Sequence, residues 1–124
     1  MPKLIRVAVV DDHPLFREGV VATVNAAPEF EVVAQGKCGS DAVHIARQQC
    51  PDIMLLDVNM SDGGIDAARK IKTLRPSVKT VMLTSCDDSE HMAAACAAGA
   101  SKFIVKGTSA TELVATLRAV HLAA

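Results

Sequence analysis

The sequence predicts an α/β domain built on a five-stranded, doubly wound parallel sheet, (βα)5, over residues 1–124. Three observations predict it. Five short apolar runs recur at intervals of about 21 to 28 residues, as strand, loop, helix and loop require. Each run is apolar on both alternating positions, the mark of a strand buried on both faces of a parallel sheet. The segments between the runs carry the spacing of amphipathic helices. Right-handed crossovers then place helices on both faces, and five units are too few for a barrel, which needs eight.

Taken in order, the first run is LIRVAVV from Leu4, and the helix after it has Pro14 in its first turn and Phe16, Val20 and Val24 on one face. The second run is EVVAQ from Glu31, after Pro28 in the connection. Its helix, near Ser40 to Gln49, uses Ala42, Ile45 and Ala46. Pro51 precedes the third run, DIMLLD from Asp52, and the third helix sets Ile65, Ala68 and Ile71 on one face before Pro76. The fourth run is TVMLTS from Thr80. Asp87, Asp88, Ser89 and Glu90 suit the positive start of the fourth helix, whose apolar face is Met92, Cys96 and Gly99, with Gly99 as its stop. The last run, KFIVK from Lys102, leads into a helix with Leu113, Leu117 and Val120.

Composition excludes several classes of function. The 13 basic and 14 acidic side chains leave a formal charge of −1, so the clustered basic excess of a nucleic-acid surface is missing, and no direct DNA binding by these residues is expected. Half of the residues are apolar, too many for a disordered chain. No apolar stretch is long enough to cross a bilayer and the N-terminal run ends in two aspartates instead of a cleavage site, so the reading is a cytoplasmic protein without membrane contact. Cys38, Cys50, Cys86 and Cys96 form no C-x-x-C pair and are expected to be reduced and mostly buried. His13, His44, His91 and His121 are scattered over four elements and read as surface or loop histidines.

A doubly wound sheet binds its ligands beyond the carboxyl ends of its strands. The first strand ends in Asp11 and Asp12, the third in Asp57, the fourth in Thr84 and Ser85, the fifth in Lys106. Three carboxylates gathered at one edge repel one another unless one is protonated or a cation is shared among them. A hard, oxygen-seeking ion such as Mg2+ fits that set. With Lys106 as a point charge and Thr84 as a small donor, these are the parts that hold a phosphoryl group. Asp57, alone at the end of the central run, is the candidate nucleophile, and the adjacent Asp11 and Asp12 are the candidate metal pair.

The segments VVDDHP, LLDVNM, MLTS and FIVKG, each at the end of its strand, resemble the receiver domains of two-component response regulators, with the CheY-like fold. DDHPLFREGV further resembles the NarL/FixJ branch, whose members commonly carry a DNA-binding domain. The resemblance covers essentially the whole sequence. It implies the strand order 2-1-3-4-5, Asp57 as phosphoacceptor, and Mg2+ or Mn2+ coordinated by Asp11 or Asp12 with Asp57 and the backbone carbonyl of Asn59. Thr84 would bond a phosphoryl oxygen and Lys106 would pair with the phosphoryl group. Thr84 and Phe103 would act as a switch on the surface of the fourth helix, fifth strand and fifth helix. Asn59 and Cys86 occupy positions that in the resembled family modulate how long the phosphoryl group survives, with ordinary loop and helix-start residues as the alternative reading.

The partners implied are a histidine kinase or phosphotransfer protein, and pairing of two copies on phosphorylation would use the last two helices. The output would be transcription, through a DNA-binding domain absent from these residues, with a single-domain regulator acting by protein contacts as the alternative. Two features depart from the family pattern. Met60-Ser61-Asp62-Gly63-Gly64 is about one residue short, and its acidic, glycine-rich character predicts mobility; Gly107 stands where many members have proline. An aspartyl-nucleophile phosphatase is the weaker rival, because Asn59 cannot act as a general acid, and a turnover enzyme is not expected. A flavin or nucleotide module would need a glycine-rich first loop, which DDHPLF is not.

Overall fold

The computed structural model describes residues 3–85, 93–94 and 97–123. Within them five parallel strands, β1 (Ile5–Val10), β2 (Phe30–Gly36), β3 (Ile53–Asp57), β4 (Lys79–Thr84) and β5 (Lys102–Val105), form one sheet in the order β2-β1-β3-β4-β5. The helices are α1 (Pro14–Ala26), α2 (Gly39–Gln49), α3 (Gly64–Leu74) and a C-terminal helix (Ala110–Leu122). Doubly wound parallel topology and the 2-1-3-4-5 order are as the sequence and its resemblance imply. Met92 and Cys96 of the expected fourth helix lie outside the described residues, as do Asp87, Asp88, Ser89, Glu90 and His91.

Alternation along the strands divides the core in two. Ala8 and Val10 of β1, Met54 and Leu56 of β3 and Met82 of β4 pack under α2 and α3, against Ala42, Ile45, Ala46, Ala67, Ala68 and Ile71. Val7, Val9, Ile53, Leu55, Val81, Leu83 and Ile104 face the other way, against Val20 and Val24 of α1 and Leu113, Leu117 and Val120 of the C-terminal helix. The central strands are therefore apolar on both faces through residues 7–10, 53–56 and 81–83, and β3 is buried along its whole length. Each fully buried Leu or Ile contributes about 1.5–3 kcal/mol relative to exposure.

Helix ends are fixed by specific groups. Pro14 opens α1, where its missing N–H costs nothing. Ser109 caps the C-terminal helix by accepting the Glu112 N–H at 3.1 Å. The far end of that helix is closed by Lys79, at the start of β4, whose Nζ donates to the carbonyls of Val120 at 2.9 Å, His121 at 3.3 Å and Ala123. The thiols depart from expectation: Cys50 is exposed and Cys38 half-buried. Both flank α2, Cys38 at its N-cap and Cys50 at its C-cap with φ 43, where the backbone turns away from the core. Among the described residues no helix is long and apolar enough to cross a membrane.

Candidate functional site

The same alternation that builds the core builds the site. Asp11 continues the Val7 and Val9 row by a two-residue step, Asp57 continues Ile53 and Leu55, and Lys106 continues Ile104. Three polar residues thus follow three apolar rows out of the sheet on the α1 side. β1 and β3 are neighbours, so the two aspartates start side by side. β5 lies two strands from β3, roughly 10 Å away, and only a side chain as long as lysine spans that gap.

The ammonium of Lys106 reaches Asp11 Oδ2 at 3.0 Å and Asp57 Oδ2 at 3.2 Å, and sits 4.8 Å from the centre of the Phe16 ring on α1. Its backbone N–H is held by the Thr84 carbonyl at 2.7 Å. Gly107, with φ +108, turns the chain immediately afterwards, a conformation proline cannot adopt. In this chain the strand-to-loop bond and that turn fix Lys106. Asp11 and Asp57 are fully buried, and neither Oδ2 accepts a hydrogen bond, so their compensation is ionic.

The two acids respond differently to that burial. Burial pushes Asp57 above the usual carboxylate range, against the pull of the Asn59 N–H on Oδ1 at 3.1 Å, and the neighbouring Asp11 charge adds to the rise. Asp11 meets the same penalty. The His13 backbone N–H at 2.8 Å, the Lys106 ammonium and the His13 ring outweigh it, and they hold Asp11 below the usual range.

Asp12 is exposed at the mouth of the cluster, where its Oδ1 lies 3.1 Å from His13 Nδ1. The expected set of Asp11, Asp12, Asp57 and Lys106 is therefore assembled. Thr84 is buried at the end of β4, the strand beside Asp57, and Asn59 contributes its N–H to Asp57. Phe103 is not among the acids; half-buried, it packs against the core cluster on the opposite face of the sheet. Ser85 is exposed beside His13, Asn59 and Lys106. Cys86 lies outside the described residues.

Two site features differ from the sequence reading. His13 is a loop residue, but its Nδ1 is 2.9 Å from Asp11 Oδ1 and 3.6 Å from Asp57 Oδ2, so it belongs to the cluster. Its position next to Asp12 was the available signal. The loop from Met60 to Gly64, expected to be mobile, is tied down. Asp62 accepts the N–H groups of Gly39 at 2.6 Å and Ser40 at 3.0 Å, capping α2 from a distant loop, and these bonds hold its carboxyl below the usual range. Gly64 is packed so closely that a Cβ there would overlap the Asp57 carbonyl oxygen and lie 3.0 Å from Val58 Cα. The loop that carries Asp57 into α3 closes directly onto the Asp57 backbone.

Oxygen donors dominate the cluster: one carboxylate oxygen from each of Asp11, Asp12 and Asp57, with His13, lies within 4.8 Å of the others. Buried carboxylate oxygens without hydrogen bonds fit a hard divalent cation.

Comparison with known proteins agrees with this geometry. Residues 7–118 match the response regulator receiver domain family. Response regulator GacA of Pseudomonas aeruginosa is 36% identical over 118 residues, covering 94% of this chain and 55% of that protein. Transcriptional regulatory protein DegU of Brevibacillus brevis is 37% identical over 117 residues, covering 94% of this chain and 50% of its own. The chain thus spans about half the length of the curated relatives it matches. Among solved structures, a two-component response regulator of the LuxR family from Aurantimonas superposes with a TM-score of 0.90 at 31% identity, over 96% of this chain and 86% of that one. The response regulator domain of Thermotoga maritima CheB gives 0.89 at 28% identity, over 98% and 99%.

Proposed function

Because the chain belongs to the response regulator receiver family, homologous to transcriptional regulators of two-component systems, we propose that it works as a phosphorylation switch with Asp57 as acceptor. The carrying observation is Asp57 itself: a buried carboxylate with one oxygen anchored by the Asn59 N–H and the other facing Lys106 without a hydrogen bond. A carboxylate so held is oriented for attack, with its second oxygen free to form a bond.

In the proposed step Asp57 Oδ2 attacks the phosphorus of a phosphohistidine on a histidine kinase or phosphotransfer protein. The new O–P bond makes an acyl phosphate, the P–N bond breaks, and the departing imidazole keeps the electron pair and takes up a proton. Asp57 must be ionised to attack, and the Lys106 ammonium favours that form against the burial that opposes it. The same ammonium then pairs with the phosphoryl oxygens, and the Thr84 hydroxyl donates to one of them. Asp11, Asp12, Asp57 and the Asn59 carbonyl would hold Mg2+ or Mn2+, which supplies charge neutralisation of the transferring group.

Residues 1–124 are read as one receiver unit. Thr84 and Phe103, on neighbouring strands, are the proposed path from the phosphoryl group to the face of β5 and the C-terminal helix, a two-state element biased by the new charge. The output proposed is transcriptional control through a further domain, by analogy with relatives about twice as long. Pairing of two copies on phosphorylation and a cytoplasmic location belong to the same reading. No turnover of an external substrate is proposed.

Intact mass after incubation with acetyl phosphate tests the chemistry, with Mg2+ or with chelator, on the wild type and on Asp57→Asn. The expected result is one phosphoryl adduct that requires both the cation and Asp57. An adduct that survives in Asp57→Asn, or none in the folded wild type with Mg2+, overturns the proposal.

A further inference from the structure

His13 stands at the N-cap of α1, yet its side chain makes no capping bond to the helix. Its ring instead turns back over the strand ends, and its Nδ1 lies 2.9 Å from Asp11 Oδ1, 3.1 Å from Asp12 Oδ1 and 3.6 Å from Asp57 Oδ2. Neighbouring ligands of a divalent ion, with bonds of about 2.0–2.2 Å, lie about 3 Å apart, and these spacings match. The position is built in by the backbone. The His13 N–H donates to Asp11 Oδ1 at 2.8 Å, its carbonyl accepts from Arg17 at 2.9 Å, and Pro14 follows it.

Nδ1 meets Asp11 Oδ1 either through a ring proton, as a hydrogen bond, or through a cation held between the two. Lys106 Nζ is 3.2 Å away, and an ammonium at that distance calls for a lone pair on the nitrogen. Three carboxylate oxygens on the other side repel a lone pair unless a positive charge lies between. Asp11 Oδ2 and Asp57 Oδ2, fully buried and without hydrogen bonds, share the single Lys106 ammonium at 3.0 and 3.2 Å, which leaves the cluster short of positive charge. Lys106 faces Oδ2 of Asp11 whereas His13 faces Oδ1, so the ring and the ammonium do not compete for the same oxygen there.

We infer that His13 is a nitrogen ligand of this site and biases it towards ions that accept imidazole, such as Mn2+ and Co2+, over Mg2+. The inference rests on the reading of the cluster as a cation site and adds to it a residue that sets ion preference. Mg2+ favours oxygen ligands and retains its waters, so it gains little from an imidazole, whereas affinity for a nitrogen donor rises along the first row from Mn2+ to Co2+.

Calorimetric titration of the 124-residue chain with Mg2+ and separately with Co2+, for wild type, His13→Ala and His13→Gln, measures the bias. Both variants are expected to lose about tenfold or more in Co2+ affinity and to change Mg2+ affinity by less than about twofold. Pulsed electron paramagnetic resonance of the Mn2+-loaded wild type is expected to show coupling to an imidazole nitrogen that the variants lack. Equal losses for both ions, tighter binding of both on removing the ring, or nitrogen coupling that persists in the variants overturns the inference. Binding of both ions, Co2+ included, with no dependence on His13 removes this inference alone. A folded wild type that binds none of these ions removes the cation-site reading with it.

Discussion

Gly64→Ala sets one methyl group against the backbone of Asp57 and Val58. The added Cβ would overlap the Asp57 carbonyl oxygen and stand 2.9 Å from the Asp57 carbonyl carbon and 3.0 Å from Val58 Cα. All three neighbours are backbone, so no side-chain rotation relieves the clash. The turn must open by about 1 Å, and strain of this kind costs typically 1–3 kcal/mol and sometimes more. The Gly64 N–H bond to the Val58 carbonyl, 3.3 Å, weakens as the turn opens. We expect a loss of about 3 kcal/mol. For 124 residues the unfolding entropy is about 0.26 kcal/mol per kelvin, so the midpoint falls by about 12 °C. Thermal unfolding followed by circular dichroism measures the change, and Gly19→Ala in α1 is the control. Nothing lies within 4 Å of a Cβ there, and a helical alanine adds about 0.5–1 kcal/mol. If Gly64→Ala melts within about 3 °C of the wild type while Gly19→Ala behaves as stated, the close approach to the Asp57 backbone has been misread.

Asp57→Asn is expected to raise the midpoint by several degrees near neutral pH. The folded carboxyl titrates above its unfolded value, so its ionisation costs stability as pH rises through the folded pKa, and a neutral isostere removes that cost. The gap between variant and wild type narrows as pH falls and the wild-type acid takes up its proton; a lower midpoint for the variant at neutral pH contradicts the argument. Asp62→Ala is expected to cost about 1 kcal/mol, or about 4 °C, by uncapping α2. Its folded carboxyl titrates below the unfolded value, so the deficit is full above the ordinary carboxylate range and disappears in more acid solution. A deficit that does not vary with pH shows that the charge is not what caps the helix. Lys79→Met removes the donor to the last carbonyls of the C-terminal helix and is expected to cost about 1–2 kcal/mol. Hydrogen exchange at Val120 to Ala123 should speed up more than at Leu113, and equal changes at both ends argue against a terminal cap.

Most of the fold was readable because its rule is local. A strand apolar on both alternating positions has two covered faces, and Ile53 to Leu56 show this without any neighbour in view. The convergence of Asp11, Asp57 and Lys106 was also readable, since each lies one two-residue step beyond a core row. His13 was missed because a histidine in an acidic turn looks the same whether its ring meets water or folds back onto the acids. The Asp62 anchor joins residues 22 and 23 positions apart through backbone amides, and amides carry no sequence signature. A short, glycine-rich loop therefore reads as loose when the glycines serve close packing. Cys50 was placed inside by residue type alone, whereas the left-handed turn at a helix end put it outside.

The sheet's least supported member carries its most consequential charge. β5 has four residues and one partner, β4, and its Val105 is 40% exposed. Edge strands fray before central ones, on the scale of local opening rather than global unfolding. Were the end of β5 to part from β4, the bond between Lys106 and the Thr84 carbonyl would open and the ammonium would leave two buried aspartates held at the ends of β1 and β3. The partial neutralisation of the acid cluster is thus only as durable as a strand edge. The rate at which that edge breathes sets how often the acids stand bare to whatever cation the solution offers.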